Sequence, residues 1–461
     1  MNYPSESVIL GFGGNRSMPD DKDQIPKPDE RPEEKKYSFL QETIKPKPIS
    51  RQQLVKQLVR IAIYGVILGA FACLGFFALK PWMQDVFRGN LETVSIPEDE
   101  DLSGDENLSG DENLSGDGEL SGDENASPEE ETVPETTADA ESYQQIMDSM
   151  NERAQEAGKG IVTVRQVSDQ TDWDAEMTGI GKSVTGVITA DNGQELLILA
   201  DSSICADASK WAVTFDDGRS YEAALKKQDS NIGLAMFSVP RGNIADSTWN
   251  AIKVSVLGNS NLVKQGDIVM ALGSMFGYSD GMSYGLISST DYKTAFFDGE
   301  CDVLATDIVS ETSGTGVLFN IEGEVIGLIS QSVWNDNDSN VANAYAISDL
   351  KSAIEILANG ESVPYIGIYG TTVTKELEEE QGMPSGVYVV DVDPDSPAME
   401  AGIQSGDIIC QVGEESVSSI VTYQSAVLQI KAGRQVLVRG MRLGADGYVD
   451  VRFTVTVGSK E

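Results

Sequence analysis

The sequence predicts a mostly β chain whose folded part starts near residue 158. A polar tail, one apolar span and an acidic linker precede it. Three observations predict this. From Gly160 onward, short β-rich runs alternate with turn signals, a spacing that fits an all-β barrel or sandwich. Ile61–Leu79 is 19 residues without a charge, the length of a bilayer's hydrocarbon core. Between Leu91 and Ser142 stand 19 acidic residues and no Lys or Arg.

Residues 1–58 are polar, Pro-rich and mixed in charge, and read as a disordered cytoplasmic tail. Residues 59–80 read as a transmembrane helix. The span lies too far from the N-terminus, and is too long, for a cleaved signal peptide, so it reads as an uncleaved signal anchor. Lys45, Lys47, Arg51, Lys56 and Arg60 flank one side; the other has Lys80 and Arg88, then no basic residue until Arg153. The positive-inside rule therefore keeps the N-terminus cytoplasmic and places everything after Lys80 outside, on a single-pass cell-membrane protein.

Residues 81–157 read as a linker. Leu102–Asn107 begins a six-residue repeat that runs to Asn125. Its Asp and Asn side chains offer oxygen ligands of the kind calcium takes. The unit is too short and too poor in apolar residues to stack, and its charge keeps it extended, so a spacer is the preferred reading. The chain's formal charge of −41 argues against nucleic acid as a partner. Histidine is absent from all 461 residues. That removes imidazole as a base or a metal ligand, and no cofactor or metal site is predicted. Cys73, Cys205, Cys301 and Cys410 form no CxxC pair. A Cys205–Cys301 bridge is one reading, isolated thiols the preferred one.

Residues 158–360 and 361–461 read as two folded units, the first closed by a helix at Ser348–Leu357 with Asn359-Gly360 as its stop signal. Asp216–Ala223, the LGNS run at Leu257–Ser260, Gly266–Gly273 with Gly277, Thr306-Asp307 and Leu318–Gly327 follow one another in a fixed order. This series resembles the HtrA (DegP-like) family of trypsin-fold serine proteases that end in a PDZ domain. The resemblance implies a trypsin-like double β-barrel over 158–360 and a PDZ domain over 361–461.

At the catalytic positions the chain departs from the family. A trypsin-like protease needs a serine nucleophile, an imidazole to take its proton, and an acid to hold the imidazole. Aligned on the family's motifs, Ser202 falls on the histidine, Gly233 on the acid and Gly314 on the serine. Ser313, one residue away, is the only candidate nucleophile, and a hydroxyl without an adjacent base is a weak one. Thr315 replaces a glycine of the family's oxyanion loop. The triad is therefore degenerate.

The PDZ signature is better preserved. Tyr365, Ile366, Gly367 and Ile368 resemble the loop whose backbone N–H groups hold a peptide's terminal carboxylate while the peptide adds as a strand. Tyr423–Ile430 is expected to be the helix lining that groove. Val427 serves either the groove or the domain core. The resemblance thus implies an extracytoplasmic pseudoprotease that binds peptides or unfolded protein C-termini, as a homotrimer or beside an active relative, in envelope quality control. The alternative is an active endopeptidase with a non-standard arrangement.

Overall fold

The computed structural model describes residues 92–99, 140–167, 182–330 and 340–461, together with Tyr64. The chain divides into two units, Met1–Lys80 and Pro81–Glu461. The tail, Cys73, the acidic repeat and all of the predicted span but Tyr64 lie outside the described residues. Among the described residues no helix is long and apolar enough to cross a membrane.

Six strands close the first barrel: β1 (Ile161–Gln166), β2 (Ser183–Asp191), β3 (Glu195–Asp201), β4 (Trp211–Thr214), β5 (Ser220–Asp229) and β6 (Leu234–Pro240), in the order β1-β2-β3-β6-β5-β4. Six more close the second: β7 (Ile268–Ser274), β8 (Gly281–Phe296), β9 (Gly299–Val309), β10 (Thr315–Phe319), β11 (Val325–Ile329) and β12 (Val341–Ala346), in the order β10-β11-β12-β9-β8-β7. Strands β3, β6, β10 and β11 are buried on both faces, unlike the alternating strands of a sheet with one face in water, and the packing gives the reason. Leu196 and Ile198 of β3 fill the first barrel. Leu197 and Leu199, on the other face, join Met270, Leu272, Val317 and Phe319 in a core shared by the two barrels. Successive side chains thus enter different cores, each burial of a Leu or Ile being worth about 1.5–3 kcal/mol.

The linker expectation is corrected at both ends. Helix α1 (Ala140–Gly158) buries Ala154 in the shared core, and Asn151 accepts a hydrogen bond from the Tyr284 hydroxyl at 2.7 Å. Further upstream, 92–99 lies along helix α2 (Ile347–Ala358). Val94 N–H donates to Asn359 Oδ1 at 3.0 Å and Ile96 N–H to Glu355 Oε2 at 2.6 Å. Asp99 accepts from Lys351 Nζ at 2.6 Å and from the Ser348 hydroxyl at 2.7 Å. Helix α2 itself buries Ile347, Leu350, Ile354 and Leu357, a helical stripe that closes the shared core.

The C-terminal sheet holds β13 (Ile368–Thr372), β14 (Val387–Val392), β15 (Asp407–Val412), β17 (Gln435–Gly444) and β18 (Gly447–Thr456) in that order, with β16 (Glu415–Ser416) paired to β15. Strand β13 is therefore an edge. Short helices α3 (Lys375–Gln381) and α4 (Pro397–Ala401) connect strands. Helix α5 runs from Ile420 to Leu428, three residues earlier than expected, because Ser419 and Thr422 form a capping box. Cys205, Cys301 and Cys410 are free thiols, so the Cys205–Cys301 bridge does not form.

Candidate functional site

The three positions expected to align with the family's triad, Ser202, Gly233 and Gly314, lie in or beside turns. Ser202 opens a short 3-10 turn, Ser202–Cys205, whose N-cap Asp201 accepts from Ser203 N–H at 2.8 Å and from the Ser330 hydroxyl. Gly233 sits in the turn between β5 and β6 at φ +88°, where a side chain would be strained. These two positions are brought together, since Ser202 N–H donates to Gly233 O at 2.9 Å.

Gly314 ends the Ser310–Gly314 loop before β10. A Cβ built on it would stand 2.6 Å from Ser310 Oγ, 2.9 Å from Met275 O and 3.0 Å from Glu311 O. Two of these are backbone atoms, so a serine cannot enter without moving the loop. The Gly314 N–H, which as the nucleophile's own amide would serve an oxyanion, donates instead to Glu311 O at 2.9 Å. Ser313 is exposed. Thr315, where the family has glycine, ties the two barrels together. Its Oγ1 accepts from Thr185 N–H at 2.8 Å, and its carbonyl accepts from the Thr185 hydroxyl at 2.8 Å. Thr185 Oγ1 in turn accepts from Ser274 N–H at 2.8 Å. The loop is thus fixed by its own hydrogen bonds, and a side chain at position 314 would clash with it.

The loop before β13 holds a carboxylate. Ile366 N–H and Gly367 N–H both donate to Asp298 Oδ2 at 2.7 Å, and Ile368 N–H donates to Asp298 Oδ1 at 3.0 Å. The Tyr423 hydroxyl of α5 adds a fourth donor to Oδ1 at 2.7 Å. Asp298 belongs to the tight turn between β8 and β9, at φ +64°, a conformation Asp adopts more readily than most residues. Burial pushes its carboxyl up, while the three amides and the phenol draw it down. Burial and the adjacent Asp298 charge push the Tyr423 phenol well up, so it stays a donor.

Supports surround this contact. Asn231 Nδ2 donates to Phe297 O at 2.7 Å. Asp229 organises the same turn, accepting from Asn231 N–H at 2.7 Å and Ile232 N–H at 2.9 Å. Burial lifts Asp229 to about 6 against the pull of those amides. The Phe297 ring meets Tyr365 and Tyr369 edge-on. Tyr365 donates to Asp393, which Lys460 also engages at 2.6 Å.

Of the residues expected to bind peptide, Ile366, Gly367 and Ile368 supply the amides just described, and the two isoleucine side chains lie in the domain core. The Tyr365 backbone pairs with Gly458. Val427 is 1% exposed and packs in the same core, so in this state it lines no open surface. Asp298 and Tyr423 were not legible in the sequence as site residues. Asp298-Gly299 reads as an ordinary hairpin signal, and Tyr423 as part of an apolar helix face.

Two closed barrels followed by a sheet with an edge strand, a capped helix and a carboxylate-holding loop define a trypsin-like domain joined to a PDZ domain. Family comparison agrees: residues 184–328 match the trypsin-like peptidase domain and 364–453 the PDZ domain. A probable periplasmic serine endoprotease DegP-like of Halomonas elongata is 29% identical over 282 residues, covering 59% of this chain and 56% of that protein. The serine protease Do-like HtrB of Bacillus subtilis is 27% identical over 289 residues, covering 59% and 62%. The chain thus spans less than two thirds of the length of either relative. Among solved structures, the HtrA-type protease AlgW with decapeptide superposes with a TM-score of 0.48 at 21% identity, covering 68% of this chain and 99% of that one. The chain belongs to the HtrA family of trypsin-like peptidases with a PDZ domain.

Proposed function

We propose that this HtrA-family chain is a membrane-anchored, extracytoplasmic pseudoprotease. It binds peptides or protein C-termini through its PDZ domain and serves envelope protein quality control, as a homotrimer or beside an active relative. The observation that carries this reading is the Gly314 loop, which has room for no side chain and an amide already committed. The absence of histidine supports it independently. The single-pass orientation, N-terminus inside, rests on the uncharged run 61–79 and the basic residues before it.

The alternative, an active endopeptidase using Ser313, has in its favour that Ser313 is exposed in the same loop and that the relatives named above carry protease names. A fluorophosphonate probe and an unfolded protein substrate decide between them. The full chain is expected to show neither labelling nor cleavage. Labelling that disappears in Ser313→Ala would reverse the assignment.

A further inference from the structure

A PDZ domain that captures C-termini must leave its loop amides free, and here they are not. Asp298, from the trypsin-like domain, fills the loop with its side-chain carboxylate, through three amides and one phenol at 2.7–3.0 Å. Its main chain follows suit: Asp298 N–H donates to Ile368 O at 2.7 Å, the first rung of an added strand on the edge of β13. Beyond it, Glu300 N–H donates to Gln424 Oε1 of α5 at 3.1 Å, and a Cβ on Gly299 would stand 2.6 Å from Gln424 Cδ. The β8–β9 hairpin tip therefore stands between β13 and α5, where a peptide's last residue would lie. Asp298 is 6% exposed and wholly satisfied.

We propose that Asp298 is a resident pseudo-ligand of the PDZ loop, so that the groove is closed by the chain itself and is opened by a free C-terminal carboxylate that displaces it. The proposal rests on the peptide-binding reading above. It assigns the Tyr423 hydroxyl as a fourth receptor group for the incoming carboxylate, and it makes the chain's own hairpin the competitor that sets the affinity threshold. The coupling also runs backwards. A bound C-terminus releases Phe297 and Asp298, and with them the bond from Asn231 in the turn that carries Gly233.

The test uses the full chain and fluorescein-labelled decapeptides ending in Ala, Val, Leu or Phe, each with a free carboxylate and each also amidated. When a competitor occupies the site, apparent affinity falls by the fraction of molecules that are open. Asp298→Ala should therefore bind at least one free-carboxylate peptide about tenfold or more tightly than wild type, with no gain for the amidated form. Asp298→Asn keeps the shape but loses the charge, and should fall between them. Hydrogen exchange gives a second reading within each folded protein. The amides of Ile366, Gly367 and Ile368 should be protected in wild type, exposed in Asp298→Ala while β14 and β15 remain protected, and protected again with peptide. Equal peptide affinity in wild type and both variants would overturn the latch and leave the peptide-binding reading intact. No binding to any variant whose loop amides have become exposed would overturn the peptide-binding reading, and the latch with it.

Discussion

Asp229 offers the clearest test at the scale of one residue. Its carboxyl, buried beneath the turn that carries Gly233, sits at about 6, whereas an unfolded chain holds an aspartate near ~3.9. A folded value raised above the unfolded one means that the folded protein binds the proton more tightly. The stabilisation is full below the unfolded value and is lost as pH rises from roughly 4 to 6. Asp298 and Lys460 are the charged groups that act on it, in opposite senses. Asp229→Asn keeps an oxygen for the Asn231 and Ile232 amides but cannot titrate. Urea midpoints between pH 4 and 7 should fall with pH more steeply in wild type than in the variant, by an amount on the order of 1–3 kcal/mol across the window. Parallel curves would mean that Asp229 does not titrate there. Neither this aspartate nor Asp298 could be singled out from sequence, because each reads as a turn carboxylate next to Ser or Gly. What makes them unusual is the domain that folds over them. The ground for proposing a pseudoprotease, by contrast, was readable at once in a composition without histidine.

At the scale of elements, the strands were legible because β-branched runs bounded by turn residues leave few other folds open. Segment 92–99 and helix α1 were not, since both lie in acidic sequence with few apolar residues. Their attachment depends on individual contacts. Lys351 is 4% exposed, and its ammonium is paired with Asp99, which comes from a segment some 250 residues earlier. Removing one partner of a buried pair costs about 3–5 kcal/mol, chiefly because the other charge is left desolvated. Asp99→Ala should accordingly destabilise the folded unit by an amount toward the low end of that range, since Asp99 is 14% exposed and a neighbouring water can take its place. The amides of Val94 and Ile96, which donate to Asn359 and Glu355, should lose their hydrogen-exchange protection, while α2 keeps its own. Retained protection at Val94 and Ile96 would show that the apolar contacts of these residues, rather than the ion pair, hold the segment.

Across the whole molecule, the proposed pseudoprotease state would involve the backbone as well as the side chains. Restoring the three residue types by Ser202→His, Gly233→Asp and Gly314→Ser is therefore expected to fail. At Gly233 the φ of +88° puts an aspartate in the left-handed region, at about 1–2 kcal/mol. At Gly314 the serine Cβ meets two carbonyl oxygens at 2.9–3.0 Å, and overpacking of this kind costs about 1–3 kcal/mol. Thr315 meanwhile holds the loop against Thr185 of the other barrel, so the strain cannot be relieved by a shift of one strand alone. The triple variant should melt below wild type and remain unlabelled by a fluorophosphonate. Adding Thr315→Gly, which removes the bond from Thr185 N–H to Thr315 Oγ1 and leaves only the one to its carbonyl, should be the first change to let the loop reopen and the Gly314 amide leave Glu311. If the triple variant alone were labelled at position 314, the loop would have to be far softer than its hydrogen bonds imply. The chain would then stand three side chains away from an enzyme rather than a backbone away.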